Sequence, residues 1–197
     1  MDKHSEVEAK FEANDLQVDQ IQEWISNQSF KSEYEHVSGV DTFIKIGSKT
    51  IRVRNDYSFT NSRKSTCLTV KQRKNQTSML DRKEVDVFLS SQSSAEDAEA
   101  LFKMLDGEIE FRLAKTYYVW MINSGKYVIC LALYDVQKFI GNSLSDSKER
   151  FLEVEIERHS ACTEDEGKQE LSHWITILQK QFSLKQPVNY SLHERYK

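Results

Sequence analysis

Glu6-Val7-Glu8-Ala9-Lys10, and far along the chain Phe151-Leu152-Glu153-Val154-Glu155-Ile156-Glu157, carry the pattern that decides the fold. Residues two apart in a β-strand point to the same side. Each stretch therefore puts its acids on one face and its Val, Leu, Ile or Ala on the other. Like charges crowded on one face repel. A divalent cation would compensate them, and so would strands of Lys and Arg set opposite.

Between the two stretches the doubling recurs, and the signs segregate. Arg52 and Arg54 share a face, as do Lys71 and Arg73, and then Glu84 and Asp86. Lys115 stands alone in a later strand, and Asp135 closes the strand after it. The competing reading is a half-buried sheet with solvated polar faces, which explains any one doublet. A solvated face usually mixes Lys, Glu, Thr and Ser, whereas whole strands here carry one sign. That arrangement costs repulsion unless a ligand lies between them.

Strand-like alternation covers residues 5–12, 34–38, 40–46, 49–56, 66–74, 82–89, 108–122, 126–135 and 150–160. Turns are expected at Gly47-Ser48 and at Asn123-Ser124-Gly125, and a polar loop over 141–148. Three helices are predicted. The first is capped at Asn14 with Gln17, with the stripe Val18, Ile21, Trp24 and Ile25. The second is capped at Ser93 with Glu96, with Ala98, Leu101, Phe102 and Leu105 inward. Thr163 with Glu166 opens the third, whose stripe is Leu171, Trp174, Ile175, Leu178 and Phe182. Connections between strands are too short for parallel crossovers. The expected class is α+β and mainly β: an antiparallel sheet of eight strands closed into a barrel, helices packed outside, one domain over residues 1–197.

A chain of 197 residues is long enough for one full core. Its formal charge of -4 argues against a general nucleic-acid coat, but a sum says nothing about a basic interior. No apolar run is long enough to span a bilayer, and no basic-then-apolar leader opens the chain. Cys67, Cys130 and Cys162 have no metal-ligand spacing and read as reduced thiols of a cytoplasmic protein. A glycine-rich phosphate loop, a zinc-type histidine pair and a serine nucleophile elbow are all missing. Trp24 or Trp174 could pair two copies into a homodimer, with core packing the competing use.

In order, the residues resemble the CYTH superfamily, the triphosphate tunnel metalloenzymes. The series is Glu-x-Glu-x-Lys at 6–10, Arg-x-Arg at 52–54, Lys-x-Arg at 71–73, an acidic strand with Glu84, Lys115, Asp135, and Glu-x-Glu at 153–155. It departs from the family at Tyr117, where an Arg is usual, and in the longer polar segment after Asp135. The resemblance implies an eight-stranded tunnel that holds a triphosphate with Mg²⁺ or Mn²⁺. It implies metal ligation by Glu6, Glu8, Glu153 and Glu155, with Asp135, and phosphate binding by Lys10, Arg52, Arg54, Lys71, Arg73 and Lys115. Catalytic roles would fall to Glu6, Glu8, Glu84 and Lys115.

Hard carboxylate oxygens suit Mg²⁺ or Mn²⁺, and four glutamates exceed one ion's need, leaving room for a second ion or for a carboxylate that activates water. The expected function is metal-dependent hydrolysis of a small triphosphate: tripolyphosphate, thiamine triphosphate or a nucleoside triphosphate. The alternatives are a class IV adenylate cyclase making cyclic AMP from ATP, an RNA 5′-triphosphatase, and a polyphosphate-binding module without turnover. No membrane partner is expected, and no nucleic acid beyond an RNA 5′ end.

Overall fold

The computed structural model describes residues 5–28, 30–73, 80–90, 94–158 and 163–197, leaving aside the side chains of residues 5–6, 71–73, 80–84 and 157–158. Among these, eight strands run β1 (Ser5–Glu12), β2 (Lys31–Ile46), β3 (Lys49–Ser58), β4 (Arg63–Arg73), β5 (Leu80–Phe88), β6 (Glu108–Asn123), β7 (Tyr127–Ile140) and β8 (Ser143–Arg158). Four helices accompany them: α1 (Val18–Ser26), α2 (Ala95–Met104), α3 (Glu164–Phe182) and α4 (Leu192–Tyr196). Every strand pairing is antiparallel, in the order β1-β5-β4-β3-β2-β6-β7-β8. β1 pairs with β5 on one side and β8 on the other, so the sheet closes.

The period-2 alternation gives that barrel two unlike surfaces. On the outside, Val7, Ala9 and Phe11 of β1 join Leu152, Val154 and Ile156 of β8 and Ile129, Leu131 and Leu133 of β7 in the largest apolar cluster. Ile21, Trp24 and Ile25 of α1 and Leu171, Trp174 and Leu178 of α3 complete it, so two helices cover this flank. Each fully buried Leu or Ile there contributes about 1.5–3 kcal/mol. Trp24 and Trp174 meet edge to face with centroids 6.2 Å apart. Both indoles are spent in the core, which takes them out of a dimer contact. On the opposite flank α2 sets Ala95, Ala98 and Phe102 against Ile44 and Val53.

The structure corrects several expected boundaries. Residues 34–46 form no broken pair of strands: β2 runs unbroken through Gly39. Residues 143–148 are strand rather than loop, because β7 and β8 extend as a long hairpin turned at Gly141. Gln17, paired with Gln20, caps α1 in place of Asn14, whose side chain instead accepts from the Arg150 backbone N–H at 3.0 Å. The α2 cap is Ser94 with Asp97, while Ser93 lies outside the described residues. Leu101 and Leu105 are 53% and 56% exposed, because the stripe that meets the sheet is Ala95, Ala98 and Phe102. The five-residue α4 had no expected counterpart.

Candidate functional site

The other surface of the alternation faces a cavity of about 390 Å³ inside the barrel. Glu8 and Lys10 of β1, Arg52 and Arg54 of β3, Lys115 of β6, and Glu153 and Glu155 of β8 all line it. Charged side chains are almost never fully buried unless paired. Here Glu8 is 1%, Lys10 4% and Lys115 5% exposed, which places them inside the wall and not on a solvated face.

The acids gather on one side. Glu8 sits opposite Glu155 in the β1–β8 register, and Lys10 opposite Glu153. Glu8, Glu153 and Glu155 each offer a carboxylate oxygen, all within 4.8 Å of one another. The Lys10 ammonium lies 3.3 Å from Glu153 Oε2, and the Tyr134 hydroxyl donates to the same oxygen at 2.7 Å. Burial, then the nearby Glu153, pushes the Tyr134 phenol well above its usual range, so it stays a neutral donor. Three converging carboxylates are a hard oxygen set that fits Mg²⁺ or Mn²⁺.

The cations gather on β3 and β6 around a buried acid. Asp41 of β2 is 1% exposed, receives the Arg54 Nε–H at 2.9 Å on Oδ1, and has Lys115 Nζ 2.5 Å from Oδ2. Burial opposes its ionisation, but Arg54, Lys115 and Arg52 outweigh that and hold the carboxyl far below the usual range. Burial pulls Lys115 down to about 8, with Asp41 working against the fall. Arg52 donates to Thr69 Oγ1 at 2.9 Å, and Thr69 in turn donates to Asp86 at 2.5 Å. Tyr117 packs its ring against both Arg54 and Lys115, each 5.4 Å from the centroid.

The C-terminal segment closes one side of this cavity: Ser191, Leu192, His193 and Glu194 are part of its lining. Leu192 is buried with Phe43 and Phe111, and His193 stacks on Phe111 with centroids 5.6 Å apart. Glu110 holds His193 at 2.7 Å, and Glu149 holds Arg195 at 2.6 Å and the Tyr196 hydroxyl. The Val188 N–H donates to the Lys10 carbonyl at 2.8 Å, tying the segment to β1.

Seven of the residues named from the sequence thus meet in one cavity. Asp135 does not join them. It sits one residue out of phase with Tyr134 and Val136, which face inward, and is held by Arg150 at 2.6 Å and Lys148 at 3.1 Å. Its carboxylate is bound to cations on the far face, which sets Asp135 apart from the metal-ligand trio Glu8, Glu153 and Glu155. The side chains of Glu6, Lys71, Arg73 and Glu84 lie outside the described residues; in register, Glu6 is opposite Glu157 and Lys71 opposite Glu84. Sequence reasoning gave no role to Asp41, Asp56, Tyr134 or the α4 residues. Asp56 follows Arg54 by two places and shares its face, a signal available in the text. For α4 there was none.

No protein-family model matches the chain, and no curated protein matches its sequence. Solved structures do match over nearly the whole chain, at sequence identities of 18% or below. The chain shares their fold. A protein from Pyrococcus horikoshii superposes with a TM-score of 0.68 at 18% identity, covering 96% of this chain and 97% of its own. A candidate adenylate cyclase from Vibrio parahaemolyticus gives 0.62 at 14% identity over 98% of each chain. A candidate adenylyl cyclase from Hippeastrum, described as having a dominant triphosphatase activity, gives 0.53 at 13% identity, covering 97% of this chain and 94% of its own. At such identities the likeness concerns fold, and the reaction has to be argued from the site.

Proposed function

We propose that this chain is a divalent-metal-dependent phosphohydrolase that cleaves a small triphosphate inside its barrel. One observation carries the reading: a single cavity is lined by the trio Glu8, Glu153 and Glu155 and by the cations Arg52, Arg54 and Lys115. A metal alone would need the first group and an anion alone the second. A metal-bound polyphosphate needs both. The triphosphatase activity described for the Hippeastrum protein of the same fold supports the choice of reaction.

Glu8, Glu153 and Glu155 would hold Mg²⁺ or Mn²⁺, which when bound neutralises phosphate charge and lowers the pKa of coordinated water. Arg52 and Arg54 would grip phosphate oxygens with forked, permanently charged donors. Lys115 and Lys10 would add charge along the phosphate chain, and Lys71 and Arg73 keep the same proposed role. A carboxylate of the acidic wall, Glu6 or Glu84 included, would accept the proton of the attacking water. Placement and charge stabilisation, fixed before the substrate arrives, would supply most of the rate.

The test is incubation with tripolyphosphate, thiamine triphosphate and ATP, each with Mg²⁺ or Mn²⁺ and with EDTA. Metal-dependent orthophosphate release is the expected result. Pyrophosphate appearing with cyclic AMP would instead assign a cyclase, and tight binding without turnover a binding module.

A further inference from the structure

β3 carries one more charged residue on the inward face, two places beyond Arg54. Asp56 lies opposite Gly39 in the β2–β3 register, and Gly39 lies opposite Lys115 in the β2–β6 register. The glycine makes the arrangement possible. A Cβ at position 39 would lie 1.9 Å from Asp56 Oδ1 and 2.8 Å from the Asn55 carbonyl oxygen, so the carboxyl occupies the space a side chain would take. That Oδ1 is buried and has no hydrogen-bond partner among the described residues; the same holds for the hydroxyls of Ser58 and Tyr117.

A buried carboxylate oxygen without a donor is costly, and a neutral carboxyl is the usual escape. The charges around Asp56 are mixed. Arg54 and Arg52 share its strand, Asp41 faces it from β2, Lys115 and the Tyr117 phenol from β6, and on β4 the opposite residue is the uncharged Ser65. Burial lifts it to about 6, with Arg54 pulling the other way and Asp41 adding to the rise.

We propose that Asp56 is a positioning residue of the cationic wall that takes up a proton from solvent as the triphosphate binds. Ionised, it spends part of the field of Arg54 and Lys115 on itself. An arriving polyanion competes for those cations and favours the neutral carboxyl, which leaves the cations to the phosphates. No bond other than the O–H forms, and the proton comes from buffer. The inference rests on the triphosphate reading of the cavity.

The experiment is calorimetric binding of diimidotriphosphate, whose two bridging nitrogens resist hydrolysis, with Mg²⁺, in two buffers of different ionisation enthalpy. Wild type and Asp56→Asn are compared from pH 6 to pH 8. Lys115 and the phosphates titrate in both proteins, so the difference reports Asp56 together with its pull on Lys115, and the carboxyl carbon shift reads Asp56 by itself. Wild type is expected to take up more protons and to lose about 5–10-fold more affinity over that range than the variant. On wild type itself, the Asp56 carboxyl carbon shift should titrate at higher pH with the analogue bound, a measurement that does not require the variant to fold. Equal proton uptake by both proteins, or a carboxyl midpoint unmoved by the analogue, with binding intact, overturns the role of Asp56 alone. Failure of wild type to bind the analogue overturns the triphosphate reading and this inference with it.

Discussion

At the scale of single residues, the decisive contrast is between paired and converging charges. Glu155 converges with Glu8 and Glu153. Glu155→Gln should therefore cost turnover about 10²-fold or more, the equivalent of several kcal/mol of lost charge stabilisation, while the thermal melt stays put or rises. Colorimetric phosphate release beside a melt checks both. Asp41 is the opposite case, a buried acid matched to two cations. Asp41→Asn leaves Arg54 and Lys115 facing each other unneutralised and should cost about 3–5 kcal/mol in urea unfolding. It also removes the partner that keeps Lys115 from falling further. Lys115 is charged below about 8 and loses its charge as pH rises through that value. In the variant this loss begins at lower pH, so KM for tripolyphosphate should climb earlier on the alkaline side than in wild type.

Among the elements, β2 departs most from what its sequence predicts. Glycine inside a strand pattern usually signals a bulge, a weak point or a close approach of another chain segment. The text of residues 34–46 permitted a break, and the structure uses the third option, with Asp56 lying where a side chain would be. Gly39→Ala should destabilise the fold by about 1–3 kcal/mol through overpacking against Asp56 and the Asn55 carbonyl, measured by chemical unfolding. The strands that carry like-charged doublets were legible because the alternation of apolar and ionic residues is local and strict. Spacing alone puts Arg52 with Arg54 on one face of their strand and Glu153 with Glu155 on one face of theirs, while a shared interior is what the family resemblance implies. Asp135 looked equally ionic, but its phase relative to Tyr134 is odd, and only the paired strand showed that this turns it towards Arg150. α4 was illegible for a different reason. Five residues give no periodicity, and its placement depends on Glu110 and Glu149, more than forty residues away in sequence.

For the molecule as a whole, stability should decline steeply in acid. Burial opposes ionisation of Glu110, Glu149 and Asp135, yet hydrogen bonds from His193, from Arg195 and Tyr196, and from Arg150 and Lys148 lower all three. Such depressed carboxyls stabilise the fold above their unfolded pKa, and that contribution disappears as pH falls through the folded value. Melting temperature followed from pH 6 down to pH 3 should drop, and Glu110→Gln together with Glu149→Gln should flatten the curve. The closed sheet has a kinetic counterpart. Glu8 comes from the first strand and Glu153 and Glu155 from the eighth, joined only at the seam where β1 meets β8. A nascent or half-folded chain lacking either strand never brings these three acids together, so the repulsion of Glu8 by Glu153 and Glu155 falls on the step that joins β1 to β8. Millimolar Mg²⁺ in a refolding buffer should quicken that step and leave the others untouched.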